Sequence, residues 1–285
     1  MVKILAIGDF HGKFPENLRK EAEKADLILA LGDYAGLDFW RDYILYRLNI
    51  FAKGKKPEKS AEDFYGKKRF KQLVKMDDDA GKQVLSELDS LKKKIFFLLG
   101  NGDDSFYDYP FDKFFKGNIK NIKFLKKLKN LENMTYGKRK FKGIDFIGFG
   151  GYIDPVVNFE NLDKLEDGNE IRRRLNLRNF KAEKKLRQIL KNTGKNRIFV
   201  LHYPPFGVFD KIKDKNNPAH GKSAGVKFFT KLIKQYKPRL VLCGHMHEYQ
   251  GKKKLGKSLV VNQGEANKGK AAVIDWPSLR VRFIK

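Results

Sequence analysis

Short runs of apolar residues recur along the chain, and several are followed at once by a polar cluster that contains glycine. Near-continuous apolar runs of four to six residues are typical of strands that are buried on both faces of an α/β fold. Five such runs with their clusters are Val2–Ile7 with Gly8–Gly12, Leu27–Leu31 with Gly32–Asp33, Ile95–Leu99 with Gly100–Asp103, Ile198–Leu201 with His202–Pro205, and Leu240–Cys243 with Gly244–His247. Open α/β sheets bind ligands beyond the carboxyl ends of their strands, so these clusters predict one shared site.

Helical spacing of apolar residues separates several of these predicted strands. It predicts helices over Pro15–Lys24, Phe180–Lys191 and Val226–Tyr236. Further strands are predicted over Ile144–Gly150, Ser258–Val261, Ala271–Trp276 and Val281–Ile284. The close spacing of the last three favours antiparallel pairing in a second sheet packed on the first.

The 67 residues between Asp33 and Asn101 exceed what a single crossover helix needs. Helices are predicted over Phe39–Phe51 and Lys82–Lys94, whereas the charged, glycine-punctuated middle, Ala52–Gly81, reads as an insertion outside the core. We therefore expect one domain over residues 1–285, with a helical cap or insertion at about residues 39–94.

Two interpretations of this insertion stay open. Because both of its ends start beside the predicted site, it could shape what enters. Its Lys and Arg residues (53, 55, 56, 59, 67, 68, 69 and 71) would then attract a polyanion, and Phe64, Tyr65 and Phe70 would stack on bases. Alternatively it is a solvated cap whose charges maintain solubility and whose aromatic residues pack beneath; Asp63 and Asp77–Asp79 dilute its positive charge.

The composition, with 41% hydrophobic and 33% charged residues, is typical of a soluble globular protein. No apolar run approaches the roughly 18–20 residues that a membrane-spanning helix needs, and the first apolar run is too short for a signal peptide, so we expect a cytoplasmic location. Cys243 is the only cysteine, which excludes an internal disulfide and a thiolate-rich metal cage. Its apolar neighbours predict a buried core residue.

The formal net charge of +27 allows two interpretations. A surplus of lysine attracts nucleotides or nucleic acids through their phosphates. A lysine-rich surface is also common in organisms adapted to heat. The chain has no recognisable nucleic-acid-binding motif, and charge describes attraction and solubility rather than fold.

Histidines are rare, and four of the five lie at predicted strand ends beside Asp, Asn or Gly. Asp9 and His11 are two residues apart, as are His245 and His247, so each pair can project from one face of an extended segment. With Asp33, Asn101 and His202 they supply seven nitrogen and oxygen donors, enough for two divalent ions if one carboxylate bridges them. The glycines at positions 8, 32, 100 and 244 fit turns where the backbone passes close to the site.

The order of these clusters resembles that of the calcineurin-like metallophosphoesterases, whose signature is D-x-H, G-D, G-N-H-[DE], H and G-H-x-H. The matching residues are Asp9-Phe10-His11, Gly32-Asp33, Gly100-Asn101-Gly102-Asp103, His202 and Gly244-His245-Met246-His247. The match keeps its order from residue 8 to residue 247. Each motif alone is weak, but the ordered set is specific.

The resemblance implies an α/β fold, a four-layer sandwich of two packed mixed β-sheets flanked by helices. It implies that Asp9, His11 and His247 hold one divalent ion, that Asn101, His202 and His245 hold a second, and that Asp33 bridges them. Asn101 would also contact the substrate phosphate. A water or hydroxide held between the ions would attack phosphorus in line. The metals stay open among Mn, Fe, Zn, Co and Ni.

One position departs from the family pattern. The family commonly has a histidine after the asparagine of G-N, with a role in stabilising the transition state or protonating the leaving group, but this chain has Gly102. His220, in Ala219-His220-Gly221-Lys222-Ser223, is similar in placement to an H-x-G-S stretch of some microbial members and is the candidate replacement. An exposed loop histidine is the alternative. For Asp103 we expect a carboxylate that orients a ligating histidine.

These observations favour a phosphoesterase, with diesters or activated monoesters as the preferred phosphate-ester substrates. Two alternatives have the same fold: a scaffold that has lost catalysis, and a nucleic-acid-binding protein in which the site is incidental. Retention of all seven donor positions favours the enzyme.

Overall fold

Two six-stranded mixed sheets form the centre of the computed structural model, which describes residues 1–106, 117–151 and 168–285. The first sheet has, in spatial order, β12 (Arg280–Ile284), β11 (Ala271–Trp276), β1 (Val2–Ile7), β2 (Leu27–Ala30), β3 (Ile95–Phe97) and β4 (Leu131–Asn133). The second has β5 (Tyr136–Phe141), β6 (Ile144–Phe149), β7 (Arg197–Leu201), β8 (Leu240–Cys243), β10 (Ser258–Asn262) and β9 (Gly251–Leu255). The predicted fold class is confirmed.

Helices cover the outer faces of both sheets. They are α1 (Glu16–Glu23), α2 (Phe39–Ala52), α3 (Ala61–Tyr65), α4 (Lys67–Ser90), α5 (Ile119–Leu125), α6 (Gly168–Lys191) and α7 (Lys227–Tyr236). The exceptions to this covering are α2 and α3, which have no buried residue. Within the described ranges, no helix is long and apolar enough to cross a membrane.

Three hydrophobic clusters hold these elements together. β1 contributes side chains to two of them, which explains why its apolar residues do not alternate with polar ones. Ile4 and Ala6 face the second sheet, where Phe96 and Phe146 meet edge to face at 5.5 Å. Leu5 and Ile7 face the opposite way and pack with α1 and α4. A third cluster joins the outer face of the second sheet to α6 and α7. Strands with two buried faces are apolar at nearly every position, and the exception in β1 is the exposed Lys3 near its start.

The order of strands brings the predicted clusters to one edge. β1, β2 and β3 are parallel neighbours in the first sheet, and β7 and β8 are parallel neighbours in the second. Their carboxyl ends therefore point the same way within each sheet, and the loops that follow them meet where the two sheets adjoin. Main-chain hydrogen bonds join these loops, including Phe10 N to Asp33 O at 2.8 Å and Gly244 N to His202 O at 2.9 Å.

Several helix predictions were too short. The predicted helix Lys82–Lys94 overlaps only the last part of α4, which begins at Lys67 and ends at Ser90, and Phe180–Lys191 is the second half of α6. The reading of Ala52–Gly81 as lying outside the core is therefore wrong at its C-terminal end. Asp77 and Gly81 are buried together with Val84, Leu85 and Leu88, a helical spacing that continues the core face.

The tail also differs from the prediction. β11 and β12 are antiparallel, but β11 pairs with β1, so both complete the first sheet rather than form a second one. β10 lies in the second sheet, parallel to β8 and antiparallel to β9. β9 was not predicted because it contains Lys252, Lys253 and Lys254, all exposed, as is common on an edge strand.

Candidate metal centre

The seven predicted donors lie together at the strand ends, arranged around Asp33. Ligand atoms of Asp9, His11, Asp33 and His247 all lie within 4.8 Å of one another, and so do those of Asp33, His202 and His245. The Asn101 Oδ1 atom is 2.8 Å from His202 Nε2. Asp33 therefore belongs to both groups, which is what a bridging carboxylate requires.

The backbone at this site is strained in a consistent way. Asp9, His11, Asp33 and His245 all have positive φ, between 44° and 66°. This left-handed conformation is uncommon outside glycine, although Asp and His tolerate it better than most residues. Strained residues of this kind cluster at functional sites, where the surrounding structure holds them in place.

Glycines provide the room for these conformations, as their positions predicted. A Cβ atom on Gly244 would lie 2.6 Å from Asp9 Oδ2, and one on Gly100 would collide with the Asp33 carboxylate. A Cβ on Gly8 would lie 2.9 Å from Leu31 Cβ. Because real Cβ contacts are longer than this, any side chain at these positions would displace a predicted ligand or its strand.

Hydrogen bonds to backbone carbonyls orient two of the imidazoles. His11 Nδ1 lies 2.7 Å from the carbonyl of Gly36, and His202 Nδ1 lies 2.8 Å from the carbonyl of Leu31. A carbonyl only accepts, so in each ring Nδ1 carries the proton. In the neutral ring that would bind a metal ion, Nε2 then has the lone pair, and it faces the other donors: His11 Nε2 is 3.0 Å from His247 Nε2, and His202 Nε2 is 3.4 Å from Asp33 Oδ2. This is the usual arrangement for a ligating histidine.

Carboxylates and histidines lie close together in the buried site and change one another's pKa values. Burial alone would raise the pKa values of Asp9 and Asp33, but the neighbouring histidines outweigh it and lower both. Burial would lower the pKa of His202, but Asp33 outweighs it and raises that pKa to about 9. Burial and the charge of His202 lower the pKa of His245 to about 3. The carboxylates thus attract positive charge, which a proton or a metal ion can supply.

The hydrogen bonds of Asp103 come from backbone N–H groups, and its predicted role of orienting a histidine stays a prediction. Its buried carboxylate accepts hydrogen bonds from four backbone N–H groups, those of Asp33, Tyr34, Ala35 and Gly100, at 2.8–3.1 Å. It therefore ties the loop that carries Asp33 to the loop that carries Asn101. Burial and the nearby Asp33 carboxylate raise the pKa of Asp103 to about 7. Through these two loops Asp103 positions the predicted ligands Asp33 and Asn101.

The structure gives a steric reason for glycine at position 102. Its N–H donates to Asp33 Oδ1 at 2.7 Å. A Cβ atom there would lie 3.1 Å from the Cα of Gly36 and 3.2 Å from the carbonyl oxygen of Ala35. The residue 35–36 turn thus occupies space that a histidine at position 102 would need.

His220 lies in the loop between β7 and α7, with an exposed side chain. Its backbone N–H donates to the Asn217 carbonyl at 2.8 Å, and the described residues offer its imidazole no hydrogen bond. A catalytic role for His220 stays a prediction. Asp214 of the same loop forms an ion pair with Arg41 of α2 at 2.7 Å, which connects this loop to the predicted insertion.

Sequence reasoning missed three residues that support the predicted ligands. Gln263 is fully buried and donates to Asp9 Oδ2 at 3.1 Å. Glu265 Oε1 lies 3.9 Å from His247 Nδ1. The signal was present, because Asn262–Glu265 is a glycine-containing polar cluster at the end of β10, like the five that were used.

The third missed residue, Asp77, acts from helix α4. Its carboxylate accepts from Gly36 N at 2.9 Å, Leu37 N at 2.8 Å and Trp40 Nε1 at 2.9 Å. The Gly36 carbonyl in turn faces His11. Asp77 was read as part of an acidic run, and nothing local in the sequence distinguishes it from Asp78 or Asp79.

Comparisons with known proteins agree with this geometry. A family model described as metallophosphoesterase, calcineurin superfamily, matches residues 1–284. An uncharacterised protein of Methanocaldococcus jannaschii is 26% identical over 266 residues, which span 92% of this chain and 87% of that protein.

Solved structures show the same fold at low sequence identity. One crystal structure has a TM-score of 0.65 at 19% identity and covers 99% of this chain and 97% of its own. The protein TT1561 of Thermus thermophilus has a TM-score of 0.55 at 16% identity, with the same coverage. The phosphopantetheinyl hydrolase of Mycobacterium tuberculosis has a TM-score of 0.51 at 11% identity, with 99% and 95% coverage. With the family model matching nearly its whole length, the chain belongs to the calcineurin superfamily of metallophosphoesterases.

Proposed function

We propose that the protein is a phosphoesterase that works with two divalent metal ions and prefers phosphodiesters or activated monoesters. Asp9, His11 and His247 would hold one ion, and Asn101, His202 and His245 the other. The observation that carries the proposal is the position of Asp33, whose carboxylate belongs to both donor groups.

The donor set fits such ions. Imidazole, carboxylate and amide donors suit Mn, Fe, Zn, Co and Ni, and the buried carboxylates need positive charge. When bound, two ions would polarise the phosphoryl oxygens and lower the pKa of a water that attacks phosphorus.

The chain's own residues would prepare the reaction by holding their donors in place. The N–H of Gly102 fixes one oxygen of Asp33, Gln263 fixes one oxygen of Asp9, and the carbonyls of Gly36 and Leu31 orient two imidazoles. Preorganised donors need no reorganisation as charge develops. The Asn101 amide would also contact the substrate phosphate, so that most of the machinery would serve binding and orientation.

Protonation of the leaving group is the step with least support from these residues. Gly102 has no side chain to donate a proton, and the exposed His220 is the proposed substitute. A leaving group that is stable as an anion needs little protonation, which is why diesters and monoesters with acidic leaving groups are the proposed substrates.

We further propose that residues 1–285 form one catalytic domain in which residues 39–94 are an insertion at the mouth of the site. The Arg41–Asp214 ion pair supports this, because it links α2 to the loop that follows His202. The C-terminal part of the insertion, from Asp77 to Leu88, packs into the core and is structural.

The two alternative functions predict different effects of metal chelation. A scaffold that has lost catalysis would bind metal without turnover, and a nucleic-acid-binding protein would bind in a salt-dependent way regardless of metal. Retention of the seven donors favours the enzyme.

The test is a substrate panel of monoesters, diesters and oligonucleotides, assayed with each of the five metals and again after chelation. Turnover that chelation abolishes and one of the metals restores is the expected result. Absence of turnover on every substrate, in protein that binds two metal ions per chain, would favour the scaffold and overturn the proposed enzyme.

A further inference from the structure

A long segment beside the site lacks a core of its own. None of the residues from 36 to 76 is buried, and yet 17 of the 38 residues from 39 to 76 are apolar. We call residues 39–76, which comprise α2, α3 and the first part of α4, the platform. So large an apolar content without burial is unusual, because exposed apolar patches in proteins mark surfaces that something else covers.

The aromatic rings of the platform pack against one another in a single layer. Phe39 and Trp40 lie 4.8 Å apart, Phe64 and Tyr46 5.0 Å, and Trp40 and Phe70 5.8 Å, measured between ring centroids. Phe64, Tyr65 and Phe70, the residues that would have stacked on bases, instead contact other rings of the platform. Stacking on nucleobases would have to compete with these contacts, which argues against nucleic acid as the occupant.

Three of the polar ring atoms of the platform also have hydrogen-bond partners within the protein. Trp40 Nε1 donates to Asp77 at 2.9 Å, Tyr43 OH donates to the Lys59 carbonyl at 3.2 Å, and Tyr65 OH donates to the Phe39 carbonyl. These three side chains therefore offer mainly hydrocarbon to a partner.

Two aliphatic side chains of the platform are exposed to solvent. Ile44 is 47% exposed and Met76 is 59% exposed. In α2 the four consecutive residues Tyr43–Tyr46 are apolar and none of them is buried, although the helix also contains charged residues.

The charge of the platform indicates what covers it. Residues 39–76 contain 11 Lys and Arg but 4 Asp and Glu, a net charge of +7 by subtraction. Lys53, Lys55, Lys67, Lys68 and Lys71 are all exposed. A second copy of this chain would bring the same positive charge to the interface, which disfavours self-association.

We propose that the platform docks on the surface of an anionic lipid bilayer. Ile44 and Met76 would insert among the headgroups and upper acyl chains while the lysines contact anionic headgroups, a combination typical of proteins that lie on membranes without crossing them. α2, with 14 residues, is too short to span a bilayer. The proposal is independent of catalysis.

Vesicle sedimentation tests it directly. The full-length protein is mixed with vesicles of phosphatidylcholine or with vesicles in which about a third of the lipid is phosphatidylglycerol, at low and high ionic strength. Binding to the anionic vesicles that weakens with salt is the expected result.

Two matched pairs of variants separate the platform from the general positive charge. Ile44→Asp is compared with Ile119→Asp, since Ile119 is an exposed isoleucine of α5 outside the platform. Lys67→Gln/Lys68→Gln is compared with Lys252→Gln/Lys254→Gln on the edge strand β9, where both lysines are also exposed. Each platform variant should weaken vesicle binding by about tenfold or more, and each control by less than about twofold.

Three outcomes would overturn the proposal. The first is no binding to anionic vesicles at low salt, and the second is equal loss in platform and control variants, which would assign binding to overall charge. The third is a dimer in light scattering that Ile44→Asp converts to a monomer, which would make a second copy the occupant. Asp33→Ala should bind vesicles like the parent, so loss of catalysis and loss of docking are distinguishable.

Discussion

The metal-ligand strand ends and the platform are neighbours in sequence but are built in opposite ways. Asp33 and Phe39 are six positions apart. Asp33 is 2% exposed, has a strained backbone, and accepts a hydrogen bond from Gly102. From residue 36 onward, by contrast, no residue is buried until Asp77. Backbone, glycine contacts and hydrogen bonds fix the candidate ligand site, whereas the platform is held mainly by contacts among its own rings.

This difference separates two requirements. Ligand donors must hold their positions to within a fraction of an ångström, so each is fixed by backbone strain, glycine contacts and hydrogen bonds. A recognition surface must stay accessible, which limits how much of it can be buried. Asp77 joins the two regions, because it is buried in α4 and bonds the turn that orients His11.

The comparison predicts that changes at the strand ends are severe. Replacing Asp33 with alanine removes a donor from both groups, and we expect turnover to fall by roughly a thousandfold or more, since metal ions contribute several kcal/mol to transition-state stabilisation. The number of metal ions retained per chain, measured by elemental analysis after gel filtration, should fall together with activity.

Asp145→Asn is the matched control for Asp33→Ala. Asp145 is also a buried carboxylate, but it accepts from Gly194 N at 2.9 Å, away from the predicted ligands. Its loss should lower stability without changing metal content. If Asp33→Ala retained two ions, the bridging role would be wrong.

Leaving groups should have the next largest effect. Because Gly102 cannot supply a proton, aryl diesters with p-nitrophenolate should react about 10²–10⁴-fold faster than comparable alkyl esters, the range that general acids contribute. The measurement is kcat/KM across phenols of graded acidity. Rates that do not depend on solvent viscosity would show that chemistry, rather than diffusion, limits turnover. Equal rates across the series under that condition would contradict the prediction.

His220→Asn sharpens that measurement. If His220 protonates the leaving group, the variant should lose rate on poor leaving groups and keep it on p-nitrophenolate esters. A uniform loss would instead indicate a structural role for the loop.

Asp77 tests whether the platform and the ligand site are coupled. Asp77→Ala leaves three N–H donors without their acceptor and frees the turn behind His11, so affinity for the ion held by His11 should fall about 10–100-fold. Asp77→Asn keeps one acceptor oxygen and should lose less. Calorimetric metal titration and the visible spectrum of the cobalt-loaded protein measure this.

Asp79→Asn is the control on the same helix, with a side chain that is 55% exposed. It should titrate like the parent. A stability loss of about 1–3 kcal/mol in Asp77→Ala with unchanged metal affinity would limit Asp77 to a folding role.

The sequence predicted the strands that carry the ligands because each has two buried faces and a polar end. It did not predict β9, whose lysines hide an edge strand, or the start of α4, because Lys67–Met76 has no buried residue to mark a core face. The partner of β11 was also mistaken, since pairing with β1 joins residues more than 260 positions apart, which no local pattern reports.

The convergence of the candidate ligands was predictable because their residue types are rare and their motif order is specific. The residues that support these candidate ligands were harder to predict. Gln263 is a neutral residue whose role depends on Asp9, and the Asp103 carboxylate bonds backbone that only folding brings near. Supporting residues use common chemistry, and their contacts are set by tertiary structure.

The smallest effect is expected from the platform lysines in catalysis on a small substrate. Lys67→Gln/Lys68→Gln leaves every predicted ligand and its hydrogen bonds intact, so the rate on a small chromogenic diester should stay within about twofold of the parent, because these exposed charges are screened by salt. On an oligonucleotide, the same variant should also change little if the platform rings are committed to one another. The Lys252→Gln/Lys254→Gln variant controls for net charge on both substrates.

A loss of about tenfold on the oligonucleotide in the platform variant alone would show that the platform selects polyanions, and would reopen the nucleic-acid interpretation. A small substrate does not need these lysines for contact. A comparable loss of rate on the small diester would therefore show that the platform and the candidate ligand site are linked by more than Asp77.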